Sequence, residues 1–319
     1  MYTANGHKFP KRKRYGTRRQ AVVSYTFALH RRLFTLRASR ACLVHTVRVN
    51  GVFIHGSLEI NMESKIANAI RMKYSPVAVV FTNEKPEGAL EFTEGSRGCV
   101  SALMFSAAKG KTAVFSRKTY GCPGGGAGLG FGNPYKNFPG GIEYFLSTGN
   151  KEFCGSEIGK NIVKNMPMLV DGEGYQKTPE AAKKFIESLP LVDIPFEYVI
   201  YKPLENLSAN EKPEIVVLLV NPDQLSALAV LANYSRGTDN VITRFGAGCQ
   251  QTGIMAYKEC LSDNPKAIIG LTDISVRKIF DKDILSFAMP YKMYLEMEGD
   301  VDGSFLQKTE WTHILERNK

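Results

Sequence analysis

Three cysteines, Cys99, Cys122 and Cys249, together with the glycine run at 121–132, are the residues of this chain whose types and spacing could do chemistry. Cys99 and Cys249 each follow a glycine and fall where a helix should begin. The free N–H groups and positive dipole end of a helix start stabilise a thiolate. Arg97 adds positive charge beside Cys99. Three thiolates without a nearby imidazole suit a soft metal, and an incomplete ligand set would leave a coordination position for substrate. The expected metal ligands are therefore Cys99, Cys122 and Cys249, holding an iron–sulfur cluster or another thiolate-bound metal. Their spacing matches no known cluster motif, and taken singly each fits a buried structural thiol.

The glycine run reads Gly121-Cys122-Pro123-Gly124-Gly125-Gly126-Ala127-Gly128-Leu129-Gly130-Phe131-Gly132. It lacks the G-x-G-x-x-G register, has no G-K-[ST], and continues into Asn133-Pro134 instead of a helix, which argues against a Rossmann or P-loop assignment. The expectation is a loop. Gly124, Gly125, Gly126 and Gly128, with Arg97, would then form a nest of N–H groups around an anion or cluster. The alternative is a flexible loop packed by its own aromatics.

After Met62 the sole histidine is His313, which makes a Ser-His-Asp triad, a Cys-His dyad or a His-rich zinc site a poor reading. Proton transfer would fall to Cys, Asp, Glu, Lys or Tyr. Cys260, eleven residues after Cys249, would lie about 16 Å further along an unbroken helix and is read as core. Cys154 precedes a short helix. Asp273 ends a strand, a common place for ligand-binding side chains, but is read first as the cap of the next helix. Arg236, Arg244 and Arg277 could hold an anion, with solvated surface as the default role of each.

Elements must position these residues. Ile66, Ala69, Ile70 and Met72 give 62–74 a helical face, ended by Pro76 before the apolar strand 77–81. Val100, Leu103, Met104 and Ala107 predict a helix over 99–109, followed by a strand at 112–116. Thr178 caps a helix over 179–189, with Pro179 at its first position. Strands at 198–201 and 215–220 come next, and Asn221-Pro222 opens another helix. The order strand, Gly-Cys, helix with a methionine, strand occurs twice, through Cys99 and Met104 and through Cys249 and Met255. It suggests two pseudo-repeated halves, 76–132 and 214–297. The fold class expected is α/β, a mixed sheet flanked by helices, in a single domain over 62–319 preceded by a disordered basic segment.

That segment, residues 1–61, holds twelve of the 41 Lys and Arg residues, one of the 31 acids and four of the five histidines. Its net charge is +11, whereas the remainder carries −1. A nucleic-acid-binding arm and an organelle transit peptide compete with the preferred reading, an over-extended gene start. The near-neutral domain is not expected to bind nucleic acid specifically. No apolar run approaches a membrane span, and no signal peptide is expected before the domain. Five cysteines after Met62, an odd number at irregular spacing, read as thiols of a cytoplasmic protein.

Several stretches are familiar in combination: Arg97-Gly98-Cys99, Gly121-Cys122-Pro123-Gly124-Gly125 with the later Gly128-Leu129-Gly130, Tyr201-Lys202-Pro203-Leu204, Asn221-Pro222-Asp223-Gln224-Leu225 and Gly248-Cys249. Over about 62–297 the chain resembles the prokaryotic family named uncharacterised ArCR, a domain of unknown function. The resemblance implies a cytosolic protein of the kind found in anaerobic archaea and bacteria, with family cysteines at Cys99, Cys122 and Cys249. It carries no activity over, and the basic segment departs from the family pattern. The leading expectation is a cysteine-centred site binding an iron–sulfur cluster or other soft metal in redox metabolism. The alternative is a small anionic-ligand binding or sensory protein without catalysis. A third reading is a metal-free thiol enzyme using Cys99 or Cys249 as nucleophile. The partner expected is a small molecule or metal, with no membrane involved.

Overall fold

The computed structural model describes residues 47–49, 52–54 and 63–317. The chain divides into two compact units, Met1–Ser57 and Leu58–Lys319. In the first, strands β1 (Val47–Val49) and β2 (Val52–Ile54) pair antiparallel, with Val47 opposite Ile54. The rest of the basic segment lies outside the described residues, and with it the expectation that the segment is disordered.

The second unit is built on seven strands: β3 (Val77–Thr82), β4 (Ala113–Ser116), β5 (Tyr198–Pro203), β6 (Ile215–Val220), β7 (Ile242–Phe245), β8 (Ala267–Gly270) and β9 (Leu285–Pro290). Their order across the sheet is β4-β5-β3-β6-β9-β8-β7, antiparallel throughout except for the parallel pair β7 and β8. The sheet is mixed, as the element pattern implies. Read outward from its centre, each half has the same order, β3-β5-β4 on one side and β6-β9-β8 on the other, with β7 added at one edge. This is the order two pseudo-repeated halves would give, provided the first extends through β5. Because β3 and β6 are antiparallel, equivalent helices leave opposite ends of the sheet.

Strand periodicity sends alternate residues to opposite faces. Val77, Val79, Phe81, Val217 and Leu219 enter one core, while Ala78, Val216, Leu218 and Val220 enter another. Twelve helices flank the sheet among the described residues: α1 (Lys65–Ala69), α2 (Val100–Ala107), α3 (Pro123–Leu129), α4 (Ile142–Phe145), α5 (Lys151–Gly155), α6 (Glu157–Val163), α7 (Pro179–Ser188), α8 (Pro222–Leu231), α9 (Tyr257–Cys260), α10 (Ile274–Arg277), α11 (Tyr291–Asp300) and α12 (Thr309–Arg317). The first core packs α2 and α3 through Met104 and Leu129, and the second packs α1, α8 and α11 through Ile66, Leu228 and Met293. Thr178 caps α7 as expected, accepting the Ala181 N–H at 3.2 Å.

The glycine run departs from expectation: much of it is a helix, α3, and not a loop. Pro123 takes the first position, Cys122 Sγ accepts the Gly125 N–H at 3.2 Å, and Gly130 ends the helix at φ 91°. Glycine disfavours helix by about 1 kcal/mol per residue relative to alanine. Here it permits backbone-to-backbone packing against the segment that follows Gly248. A Cβ on Gly128 would stand 2.3 Å from the Cys249 carbonyl oxygen, and one on Gly253 would stand 2.1 Å from the Leu129 carbonyl carbon. That facing segment is itself irregular, a π-helix over Gln251–Ala256 running into α9. Tertiary packing has overridden local propensity on both sides of the contact.

Candidate functional site

The first core opens into a predominantly apolar cavity of about 960 Å³, onto which Cys99, Cys122 and Cys249 all open. Each thiol arrives from a different helix start. Cys99 is the N-cap residue of α2, Cys122 that of α3, and Cys249 stands just before the helix containing the π segment. A shared strand edge cannot explain their meeting, given the antiparallel β3 and β6. They meet because α2, α3 and the π-helix pack together on one face. Tyr135, Phe138, Ile142, Phe145 and Leu146 line the cavity from the segment after α3, and Phe185 and Leu189 line it from the α7 end.

Burial sets the electrostatics here. Desolvation pushes the Cys122 thiol up against the opposing N–H groups of Gly125 and Gly124, and it raises Cys249 well above the ordinary value near 9.0. The neighbouring Cys99 adds to the rise at both. Cys122 and Cys249 are therefore neutral thiols near pH 7, the reverse of the thiolates expected at helix starts. A short helix offers too little dipole to outweigh the loss of water. Burial also raises the Asp273 and Glu173 carboxyls, both on the cavity, and the Tyr135 phenol. Tyr135 Oη accepts from Gln250 Nε2 at 3.3 Å.

Asp273 is the N-cap residue of α10, but its side chain does not cap that helix. Its Oδ1 accepts the Gly248 N–H at 2.8 Å instead, fixing the backbone beside Cys249. Gln251 supports the same turn: its Nε2 donates to the Gly248 carbonyl at 3.0 Å, and its Oε1 accepts from Ser286 Oγ at 2.5 Å.

The other sequence candidates separate clearly. Of the four glycines, Gly124 lines the cavity and has room for a side chain, with a Cβ there 3.8 Å from Cys122 Sγ and from Tyr135 Oη. Gly125, Gly126 and Gly128 face Tyr120, Pro134 and Cys249 in tight packing. Arg97 and Arg244 are exposed at the cavity, and neither has a carboxylate partner among the described residues. Arg236 is committed to Glu296, and Arg277 to the carbonyls of Ile284 and Lys282. Cys154 lies in α5, and Cys260 is tied to the Glu214 carbonyl at 3.4 Å with its thiol pushed up to about 12.

Among the described residues, no group of three or more His, Cys, Asp or Glu side chains is placed to hold a metal ion. The thiols share a cavity without forming a preformed ligand set. Sequence reasoning passed over Ser101, Tyr135 and the apolar wall at 138–146. The aromatics Tyr135, Phe138 and Phe145, close behind the glycine run, were the available signal. The family model described as uncharacterised ArCR matches residues 65–300. The chain belongs to this family. The match takes in all three cavity cysteines, α3 and the whole seven-stranded sheet. No curated protein and no solved structure matches the chain. Among the described residues no helix is long and apolar enough to cross a membrane.

Proposed function

We propose that this domain binds a small, mainly apolar molecule bearing an anionic end, and that the three-cysteine cavity is the binding site. The observation that carries this reading is the cavity itself: about 960 Å³, apolar over most of its wall, with a few polar groups. Ligand cavities of roughly 300–1,000 Å³ with such a lining are the common form of small-molecule sites. Neutral thiols, partly buried carboxyls held up by desolvation, and arginines at the opening without a carboxylate partner among the described residues favour an apolar body and an anionic end over a cation. Fluorescence titration of the full chain with 1-anilinonaphthalene-8-sulfonate, an aromatic anion, tests it. Saturable binding at one site is expected, and absence of binding to the folded chain would overturn the reading.

A second reading, that Cys99, Cys122 and Cys249 hold an iron–sulfur cluster or another soft metal, is supported by their convergence alone. It requires the thiols to ionise and draw together on loading. An absorption spectrum of protein purified without oxygen tests it: a thiolate-to-metal band supports this reading, and a colourless protein without bound metal removes it.

A further inference from the structure

Two of the three cavity cysteines are brought together by the chain on either side of them. Gly98 and Gly121 immediately precede Cys99 and Cys122, and the Gly98 N–H donates to the Gly121 carbonyl at 3.2 Å. The approach requires both to be glycine. A Cβ on Gly121, where φ is 77°, would stand 2.7 Å from the Gly98 carbonyl oxygen and 2.8 Å from Phe92 Cε2. One on Gly98 would stand 2.1 Å from Phe92 Cε1, so a single ring packs against both glycines. Beyond the cysteines the two segments touch again: a Cβ on Gly125 would stand 2.8 Å from Val100 Cγ2 and 3.6 Å from Cys122 Sγ.

Cys99 and Cys122 are therefore held between two contacts of the same pair of segments. Both have extended backbone, φ −112° and ψ 120° at Cys99 and φ −150° and ψ 160° at Cys122. Both are partly exposed and open onto the cavity. Hydrogen-bonded neighbouring chains lie about 4.8 Å apart, and a disulfide needs Cα atoms roughly 4.4–6.8 Å apart. Cys99 is also near enough to add to the rise of the Cys122 thiol. Neither sulfur is committed against such a bond. Cys99 makes no cap bond, and Cys122 Sγ accepts the Gly125 N–H through a lone pair that a disulfide sulfur keeps. Cys249 meets α3 elsewhere, at Gly128, six residues after Cys122 and so about 9 Å further along the helix axis.

We propose that Cys99 and Cys122 are a redox-active pair that closes reversibly to a disulfide at the cavity wall by exchange with a small external disulfide. One cysteine thiolate attacks a sulfur of the external disulfide, forms a mixed disulfide and expels one thiolate. The second cysteine gives up its proton to solvent, attacks the protein sulfur of the mixed disulfide and expels the other thiolate. Two protein thiols are oxidised, the external disulfide is reduced, and the expelled thiolates take up the two protons released. A small dithiol reverses the sequence. The bond ties the start of α2 to the start of α3, and it is independent of what the cavity binds.

The test is incubation of the folded full chain with oxidised glutathione, then blocking of free thiols with iodoacetamide and tryptic mapping by mass spectrometry. Cys99, Cys122 and Cys249 fall in three different tryptic peptides, so a bond between any two of them is read directly. The expected result is a Cys99–Cys122 cross-linked peptide pair, with loss of two alkylatable thiols that dithiothreitol restores. Cys249→Ser should form the same bond. Cys99→Ser and Cys122→Ser should form no internal bond at the cavity, and in at least one of them the remaining partner should be trapped carrying glutathione. The proposal is overturned if Cys99 and Cys122 of the folded wild type stay free, or carry glutathione without joining, or if the bond formed joins Cys249 to either of them.

Discussion

Two helices leave the two central strands of the sheet, α2 after β3 and α8 after β6, and their first turns are finished in opposite ways. At α8, Asn221 and Gln224 form a reciprocal capping box, and the Gln224 amide goes on to donate to the Ile70 and Arg71 carbonyls at 2.9 and 3.0 Å. At α2 the cap residue is a cysteine without a cap bond, and the serine behind it has no partner among the described residues. The α8 turn meets the rules for a stable helix start, whereas the α2 turn leaves the Ser101 hydroxyl buried without a partner among the described residues. Natural sequences depart from local consistency chiefly at functional sites, which is why the α2 face is the one to interrogate.

The cavity face can be broken most severely at its backbone contact. Gly128→Ala places a Cβ 2.3 Å from the Cys249 carbonyl oxygen and should cost about 3 kcal/mol or more, read by chemical denaturation. Gly124→Ala, four residues earlier where the Cβ has room, should be neutral or stabilising by up to about 1 kcal/mol. Equal effects at the two positions would contradict the packing described for α3.

The contrast in capping predicts a smaller asymmetry. Asn221→Ala should cost about 1 kcal/mol, the ordinary loss of an N-cap side chain. Cys99→Ala removes no cap bond and should cost less than half as much. A larger loss at Cys99 would show that α2 depends on a cap interaction absent from this geometry.

Alkaline titration separates the faces by charge. Folding raises the Cys122 and Cys249 thiols above their ordinary value near 9.0, so the folded state binds those protons more tightly than the unfolded chain. This contribution to stability is fully present below about pH 9 and is lost as pH climbs toward the raised folded values. Denaturation midpoints of the wild type should fall over that range, and a Cys249→Ala variant should show a shallower fall. Removal of residues 1–57, a compact unit by themselves, should leave the midpoint of the remaining unit unchanged. A drop after their removal would show that the second unit depends on the first.

Much of the fold was legible in the sequence because apolar runs and helix stop signals carry it. Val77 to Phe81, the α2 spacing through Val100, Met104 and Ala107, the Thr178-Pro179 start and the Asn221-Pro222 start all fall where local pattern places them. The glycine run was misread as a loop because glycine's poor helix propensity is a local property, whereas α3 is held by Pro123, Gly130 and a partner backbone some 120 residues away in sequence. The pseudo-repeat does not account for the three cysteines lining one cavity, since the antiparallel β3 and β6 send equivalent helices to opposite ends of the sheet. The protonation of the cysteines was misjudged for a related reason: spacing reveals a helix start but not the depth at which it is buried. Ser101 gave no signal at all, because a hydroxyl that lacks a partner is visible only in three dimensions.

Gly124 is the position at which ligand occupancy of this cavity is tested most sharply. It is the glycine of the helix that faces the cavity, and its surroundings accept a Cβ at 3.8 Å without strain. Gly124→Phe should project a ring into the cavity while leaving α3 and its contact with Cys249 intact. Binding of 1-anilinonaphthalene-8-sulfonate to the full chain, followed by fluorescence, should weaken by about tenfold or more, the cost of displacing an apolar ligand group from its site. Circular dichroism and the thermal midpoint should stay unchanged. Undiminished binding by a folded Gly124→Phe protein would show that the probe sits elsewhere and that this cavity is not the ligand site.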